Sequence, residues 1–354
     1  LVDSTTDGGT TWNAGALPTG SDFLLGISCP TTTACWAVGS GVDNVEATTD
    51  AGQTWRAQSL PLADVDLTGV SCPTASDCWA VGTDAFDSVA AVMATTGGGE
   101  TWISQTVPAV IQVLYAISCP TTSNCVAVGL GPSGAGAIDS SDGGATWTAA
   151  TLPNEVGSQN AALAGVACLT PSSCWAVGGG RRDGKAALLH SGDGGAVWRI
   201  RKAPPGVADL TGISCSSSSA CRAVGAGAAG VGTVVGTSDG GRSWSVEPLP
   251  KGVGALDQVS CAGPARCWAT GRSTGRAPTA LVLGTANGGG HWRLEALPAG
   301  AGVPIGISCP AVTACWSVGS TATDVAIFSL APSPPKPVTD GSPVPAPGRR
   351  GPHR

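Results

Sequence analysis

Fourteen cysteines constrain this chain more than any other feature, because they fall into seven pairs with a single spacing. Each pair reads C-x5-C: Cys29/Cys35, Cys72/Cys78, Cys119/Cys125, Cys168/Cys174, Cys215/Cys221, Cys261/Cys267 and Cys309/Cys315. The pairs follow one another at steps of 43, 47, 49, 47, 46 and 48 residues. A fixed period of this length indicates a tandem repeat of one supersecondary unit, which outweighs the two or three domains that a length of 354 residues would otherwise allow.

Paired cysteines form disulfides or bind metal ions. A structural zinc site needs about four soft or imidazole ligands, but each pair sits in a separate repeat and the chain has only three histidines, His190, His291 and His353. We therefore predict a disulfide within each pair, and no metal or cofactor site. Seven disulfides suit an oxidising compartment, so we expect a secreted or cell-surface protein. The sequence starts at Leu1 without a signal peptide, which is consistent with either a processed chain or a fragment.

The repeat predicts four short strands and no helix. In residues 67–107, apolar stretches rich in Val, Ala and Thr alternate with turns rich in Gly, Asp and Ser. We name the four predicted strands A to D, with the two cysteines at the A–B loop. A period of about 40–50 residues with four antiparallel strands is typical of a β-propeller blade.

A second motif, Ser/Thr-x-Asp-x-Gly-x-Thr-Trp, occupies the C–D turn. An Asp carboxylate there accepts hydrogen bonds from its own turn, glycine allows the positive φ that the turn requires, and Trp buries a large ring. Two degenerate copies carry Gly97 and Asn287 in place of Asp. The motif residues are Asp7, Asp50, Asp142, Asp193 and Asp239, with Trp12, Trp55, Trp102, Trp147, Trp198, Trp244 and Trp292.

On these repeats the chain resembles the Asp-box (BNR) β-propellers, a superfamily that includes sialidases, sortilin and the photosystem II stability/assembly factors. The resemblance covers residues 1–330, with a C-x5-C hairpin added to every repeat. It implies an all-β, seven-bladed propeller of four-stranded antiparallel blades. Sialidase activity is not implied, because the single tyrosine, Tyr115, lies inside a predicted strand A and no Arg-Ile-Pro element precedes the first box.

The N-terminal segment is expected to close the ring by joining the last blade, which would remove an exposed sheet edge. The predicted repeats are 21–62, 63–108, 109–153, 154–205, 206–250, 251–298, and 299–330 completed by 1–18. Residues 1–5 and 324–330 both resemble a third strand for that blade, so an eighth blade in a longer chain stays open. Residues 331–354 form a proline-rich tail that we expect to be disordered, as a loose end or as a spacer.

Recognition is expected on the face that carries the B–C and D–A loops, because those loops vary while the cysteine and Asp-box turns repeat. Arg181, Arg182, Arg272 and Arg276 are candidates for binding an anion or carboxylate, and solvated loop charges are the alternative. Asp64, Asp66, Asp84 and Asp87 could form an acidic rim on the same face or serve solubility. Asp257 is the sole carboxylate in the predicted inner strands.

We therefore expect an exported, monomeric, non-catalytic propeller that binds a protein or glycan partner through this variable-loop face. A glycoside hydrolase is the alternative and would need two facing carboxylates; a structural surface or spacer module is a third. No apolar run is long enough to span a membrane. The net charge is −6, and residues 1–330 carry −9 once the basic tail is set aside. So acidic a body disfavours nucleic acid as a partner.

Overall fold

The computed structural model describes residues 2–18, 23–41, 44–62, 64–84, 89–157, 161–179, 185–227, 230–298 and 302–320. In chain order its strands are β1 (Val2–Thr5), β2 (Asn13–Gly15), β3 (Phe23–Ser28), β4 (Cys35–Ser40), β5 (Val45–Thr48), β6 (Arg56–Ala57), β7 (Val65–Ser71), β8 (Cys78–Asp84), β9 (Val89–Thr95), β10 (Ile103–Gln105), β11 (Val113–Ser118), β12 (Cys125–Gly131), β13 (Gly134–Ser140) and β14 (Thr148–Ala149). They continue as β15 (Ala162–Cys168), β16 (Cys174–Gly179), β17 (Ala187–Ser191), β18 (Arg199–Ile200), β19 (Val207–Cys215), β20 (Cys221–Gly227), β21 (Gly232–Thr237), β22 (Ser245–Val246), β23 (Val253–Cys261), β24 (Cys267–Ser273), β25 (Ala280–Thr285), β26 (Trp292–Leu294), β27 (Val303–Ala311) and β28 (Ala314–Ser320). One 3-10 turn, Asn154–Val156, precedes β15.

The strands pair antiparallel in units of four, and consecutive strands are neighbours within a unit. Blades 1 to 6 are β3–β6, β7–β10, β11–β14, β15–β18, β19–β22 and β23–β26. Blade 7 combines the two ends of the chain, because β1 pairs with β28 and β2 pairs with β1. The all-β propeller predicted from the repeats is confirmed, including closure by the N-terminal segment.

Of the two candidate third strands for blade 7, the described structure uses the N-terminal one. The N-terminal segment supplies the third strand of blade 7 as well as its box and fourth strand, with Val2 opposite Val318 and Thr5 opposite Cys315. A single pairing, Ser320 with Phe23, links blade 7 to blade 1. The competing third strand, residues 324–330, and the proline-rich tail lie outside the described residues.

The apolar core lies between successive blades. In one cluster Trp36 and Val38 of blade 1 pack against Leu67, Met93 and Trp102 of blade 2. Equivalent clusters fill the other six boundaries of the described ring. Because both faces of each blade are buried, the B strands read as continuous apolar runs such as Cys35–Ser40, in which five consecutive residues are buried.

Each A strand carries a register irregularity near the ring axis, for example between Leu24 and Gly26 in blade 1. A Cβ on Gly26 would lie 3.0 Å from the Thr68 carbonyl oxygen of blade 2, so a larger residue would force the inner strands apart. The glycine at this position therefore allows the blades to meet closely around a narrow channel.

All seven predicted disulfides are present, and no described cysteine is free. The serine that precedes the first cysteine of a blade adds a bond between blades: Ser71 Oγ accepts from the Cys119 N–H at 2.9 Å. The same bond recurs at five further boundaries, with Ser28, Ser118, Ser214, Ser260 and Ser308 as acceptors. Blade 4 carries Ala167 at this position, so the boundary between blades 4 and 5 lacks a serine acceptor.

Candidate functional site

The cysteine loops and the Asp-box turns share one face of the ring. In every blade a box glycine or alanine N–H donates to a carbonyl of the cysteine loop in the same blade; the Ala51 N–H to Thr33 oxygen distance, for example, is 2.9 Å. The B–C and D–A connections consequently emerge on the opposite face. We call these the box face and the variable-loop face.

The box carboxylates are occupied by their own turns. Asp50 Oδ1 accepts from the Thr54 N–H at 2.9 Å and from the Thr48 hydroxyl at 2.8 Å, and Oδ2 accepts from the Thr54 hydroxyl at 2.6 Å. These bonds lower the pKa of Asp50 to about 2. Asp7, Asp142 and Asp239 make the same set of bonds. A carboxylate held in this way is suited to a structural role and not to proton transfer.

The box tryptophans pack at the blade boundaries, and three of them bond across one. The Trp102 indole N–H donates to Gln58 Oε1 of blade 1, and the Trp147 indole donates to Gln105 Oε1 of blade 2, each at 3.0 Å. Trp292 donates to Glu247 Oε2 at 2.8 Å. Sequence reasoning missed these acceptors, although their constant position, three residues after the preceding box tryptophan, was a readable signal.

The structure does not bring the four candidate arginines together. Arg181 and Arg182 lie outside the described residues. Arg272, at the end of β24, is half-buried, and its charge offsets part of the rise that burial causes in the pKa of Asp257. Arg276 is exposed in the following loop. Among the described pair, Arg276 is therefore the side chain placed to meet a ligand from solvent.

The ring axis contains a cavity of about 110 Å³ lined by A-strand residues, Tyr115 and Gln258 among them. Asp257, beside Gln258, has one carboxylate oxygen that is buried without a hydrogen-bond partner. Burial raises the pKa of Asp257 to about 6, and the Arg272 charge offsets only part of that rise. Burial also raises the pKa of Asp209 on the neighbouring inner strand. The inner strands β7 and β19 include Asp66 and Asp209, so the prediction that Asp257 is the sole carboxylate on these strands is wrong.

A larger groove lies on the variable-loop face between blades 5 and 6. Its volume is about 520 Å³, and Val231, Leu249, Lys251 and Thr274 are among its lining residues. Val231 and Val246 in this groove are 53% and 51% exposed, respectively. Exposed apolar side chains beside a flexible cation form a surface that can take an extended, partly apolar chain carrying negative charge.

Charge is unevenly distributed between the two faces. Carboxylates dominate the box face, with Asp7, Asp50, Asp77, Glu100, Asp142, Asp193 and Asp239 set against Arg242 and Arg266. On the variable-loop face, Asp64, Asp66 and Asp84 lie on blades 1 and 2, and Asp87 is outside the described residues. Lys202, Lys251 and Arg276 lie across the ring, on the loops of blades 4 to 6. The carboxylate that lines the blade 5–6 groove, Glu247, is paired with Arg222, and the exposed carboxylates are concentrated away from the groove.

No group of three or more potential metal ligands occurs within the described part of the chain. Nor do the described residues contain a helix of the length and apolarity needed to cross a bilayer.

No protein-family model and no curated protein matches the sequence. Solved structures do match. YCF48 bound to a D1 peptide superposes with a TM-score of 0.63 at 16% identity, covering 87% of this chain and 93% of that one. YCF48 from Cyanidioschyzon merolae gives 0.62 at 15% identity, with coverages of 87% and 99%. A GH74 xyloglucanase from Xanthomonas campestris gives 0.61 at 17% identity, covering 90% of this chain but 54% of that one.

These likenesses establish the fold and nothing finer, because one propeller architecture supports unrelated functions. The propeller fold that the resemblance implied is confirmed, with a disulfide hairpin in each repeat. The neighbours include a peptide-bound propeller and a glycoside hydrolase, so function has to be argued from the site.

Proposed function

We propose that this chain is an exported, monomeric, non-catalytic propeller that binds an extended acidic segment of a protein partner on its variable-loop face. The supporting observation is the blade 5–6 groove, where half-exposed Val231 and Val246 lie beside Lys251. The seven disulfides support an oxidising, extracytoplasmic location. Peptide binding by a propeller of the same architecture, YCF48, makes the mode plausible by analogy.

The groove offers a ligand two kinds of contact, apolar and charged. The exposed valines and the adjoining prolines provide apolar contact area, which supplies most of the free energy of association. Lys251 and Arg276 attract carboxylates and set the orientation of the bound chain, because charges at a rim act more on rate and specificity than on affinity. Binding should therefore weaken with salt but persist in part.

A fluorescence-polarisation screen of labelled 12-residue peptides that vary in carboxylate and apolar content tests the proposal. We expect acidic-apolar sequences to bind and Lys251→Glu/Arg276→Glu to weaken them about tenfold or more. Arg242→Glu, a reversal on the box face, is the matched control and should leave affinity unchanged. Equal losses in both variants, or no bound peptide in the screen, would contradict the proposal, and binding on a parallel glycan array would favour a glycan partner.

A hydrolase is the second candidate, supported by Asp257. A carboxyl with a pKa near 6 is suited to general acid catalysis at neutral pH. Glycoside hydrolysis also needs a second carboxylate across the cleaved bond, and Asp209 on the neighbouring inner strand is a described candidate for that role. Turnover of β-glucans that disappears in Asp257→Asn would establish this activity, whereas equal turnover in the variant would remove Asp257 from consideration.

A further inference from the structure

One disulfide is surrounded differently from the other six. Arg222 follows the second cysteine of blade 5, where five repeats have Trp and one has Val126. Its side chain is buried, and its guanidinium pairs with Glu247 at 3.2 Å through Nε. Nη1 of the same guanidinium donates to the Pro264 carbonyl at 3.1 Å and to Cys267 Sγ of blade 6 at 3.4 Å.

The corresponding sulfur in each other blade lies in an apolar cluster with the Trp or Val of the preceding blade. The pairs are Trp36 with Cys78, Trp79 with Cys125, Val126 with Cys174, Trp175 with Cys221, Trp268 with Cys315 and Trp316 with Cys35. An apolar neighbour disfavours a thiolate, whereas an adjacent arginine favours it. Cys267 also lies in an apolar cluster, but Arg222 stands beside it in place of Trp or Val, so its thiolate is the best stabilised of the seven.

The two sulfurs of this bond also differ in access. Cys261 is partly exposed, and Cys267 is fully buried. Because Cys261 is the more exposed residue of the pair, its Sγ is the expected point of attack, and Cys267 is then the leaving group. Exchange is faster when the leaving thiol has the lower pKa. The exposed attack point and the stabilised leaving group therefore coincide in one bond.

We propose that Cys261–Cys267 is a thiol-exchange site, opened by an external dithiol ahead of the other six disulfides. In the first step the attacking thiolate bonds to Cys261 Sγ, and the electron pair of the broken S–S bond passes to Cys267 Sγ. The Arg222 N–H donates to the new thiolate. The second thiol of the reductant then attacks the mixed disulfide and releases Cys261, so the dithiol is oxidised by two electrons and the protein pair is reduced.

Glu247 partly neutralises the charge of Arg222, but Arg222 can still stabilise a thiolate at Cys267. Its carboxylate is bound by Arg222 Nε and by the Trp292 indole N–H. The Nη1 donor remains directed at Cys267 Sγ, so stabilisation of the thiolate comes through a directed, charge-assisted hydrogen bond. An adjacent arginine lowers the pKa of a thiol, and part of that change appears in the rate at which the thiol leaves. We therefore expect this disulfide to exchange about tenfold faster than the other partly exposed ones.

The test uses the folded protein treated with limiting dithiothreitol. Samples are quenched in acid over time, free thiols are alkylated, and each cysteine peptide is quantified by mass spectrometry. We expect Cys261 and Cys267 to be labelled about tenfold faster than Cys168/Cys174 and Cys215/Cys221, whose first cysteines are also partly exposed. Equal rates among these three bonds would overturn the proposal without any variant.

The chain itself provides a matched control. Arg222→Trp combined with Glu247→Gln reproduces blade 1, where Trp36 and Gln58 occupy the same two positions and Gln58 accepts from the Trp102 indole. In this variant Cys261–Cys267 should react at the rate of the other partly exposed bonds. Persistence of the fast reaction in the folded variant would assign it to local opening of blade 6, which would also refute the role of Arg222. Hydrogen exchange of blade 6 amides in both proteins separates these outcomes.

Discussion

Replacing Asp3 by Asn should stabilise the protein at neutral pH, because Asp3 is a buried charge in an apolar position. Its side chain is fully buried in β1, and neither carboxylate oxygen has a hydrogen-bond partner among the described residues. The third strands of blades 2 to 6 carry apolar residues at this position: Met93, Ile138, Leu189, Val235 and Leu283. Asp3 lies in β1, the strand that closes the ring, so its buried charge makes the pairing of β1 with β28 less stable.

The magnitude follows from the pKa of the carboxyl. Burial raises the pKa of Asp3 from 3.8 to about 6. Between these values the folded protein holds a proton that the unfolded chain has lost, so the free energy of unfolding falls as the pH rises from about 4 to about 6. A shift of roughly two units corresponds to about 3 kcal/mol of lost stability at pH 7. Asn removes this penalty, although its amide also lacks partners.

Urea denaturation of the wild type and of Asp3→Asn at pH 4, 5, 6 and 7, with disulfides intact, measures the effect. The stability difference in favour of Asn should grow by about 2 kcal/mol from pH 4 to pH 7, because part of the effect is already present at pH 4. Glu100→Gln, a substitution of an exposed carboxylate, is the control and should show little change. A difference that does not vary with pH would refute the assignment of a buried, unpartnered charge to Asp3, whatever its sign.

Four further outcomes follow from the repeat. Ala167→Ser should supply the missing hydrogen-bond acceptor between blades 4 and 5 and stabilise the protein by about 1 kcal/mol in urea titrations. Ser71→Ala should destabilise it by a similar amount. No gain from Ala167→Ser would mean that the backbone N–H groups at this boundary already have partners. NMR titration should place the pKa of the Asp50 carboxyl near 2, and a value near 4 would show that its turn bonds do not persist in solution. Asp50→Ala should lose stability relative to wild type above about pH 4 and lose less as the pH falls towards 2, because a depressed pKa stabilises the fold only while the group is ionised. Replacing Cys119 and Cys125 by Ser should cost about 2 kcal/mol in the same assay, since a short disulfide loop constrains the unfolded chain only modestly; a loss of folding altogether would indicate a larger role for that bond.

The strand order could be read from the sequence because local chemistry repeats with a fixed period. Cysteine spacing, box glycines and box tryptophans each constrain a turn or a packing position, and seven copies make the pattern unmistakable. The ring closure followed from the same pattern, because the last repeat has no Asp-box after its cysteine hairpin and the N-terminal segment has an Asp-box with no hairpin before it. The choice of Val2–Thr5 as the third strand required the structure, because two segments shared the pattern.

The candidate site was harder to predict from the sequence, because the surroundings of its side chains depend on how the loops run. Arg272 and Arg276 are four residues apart and chemically identical, yet one faces the buried Asp257 carboxyl and the other faces solvent. That difference depends on the path of a loop, which no repeat specifies. Similarly, the repeat shows Arg222 only as a replacement for tryptophan. Its partners Glu247 and Cys267 lie 25 and 45 residues further along the chain, so the sequence does not predict their contacts with it.

The pairing of β1 with β28 has a consequence for the order in which the molecule can fold. Blades 1 to 6 are each built from contiguous chain and can assemble in chain order as neighbouring repeats become available to pack against. Val2 pairs with Val318, so the N-terminal strand can dock only when nearly the whole propeller is present. Closing so long a loop is entropically costly and slow compared with forming a hairpin. We expect the final step of folding to be the docking of β1 and β2 onto a ring that is otherwise complete. Until that step, the edge of β28 stays open to other strands, including those of a second molecule.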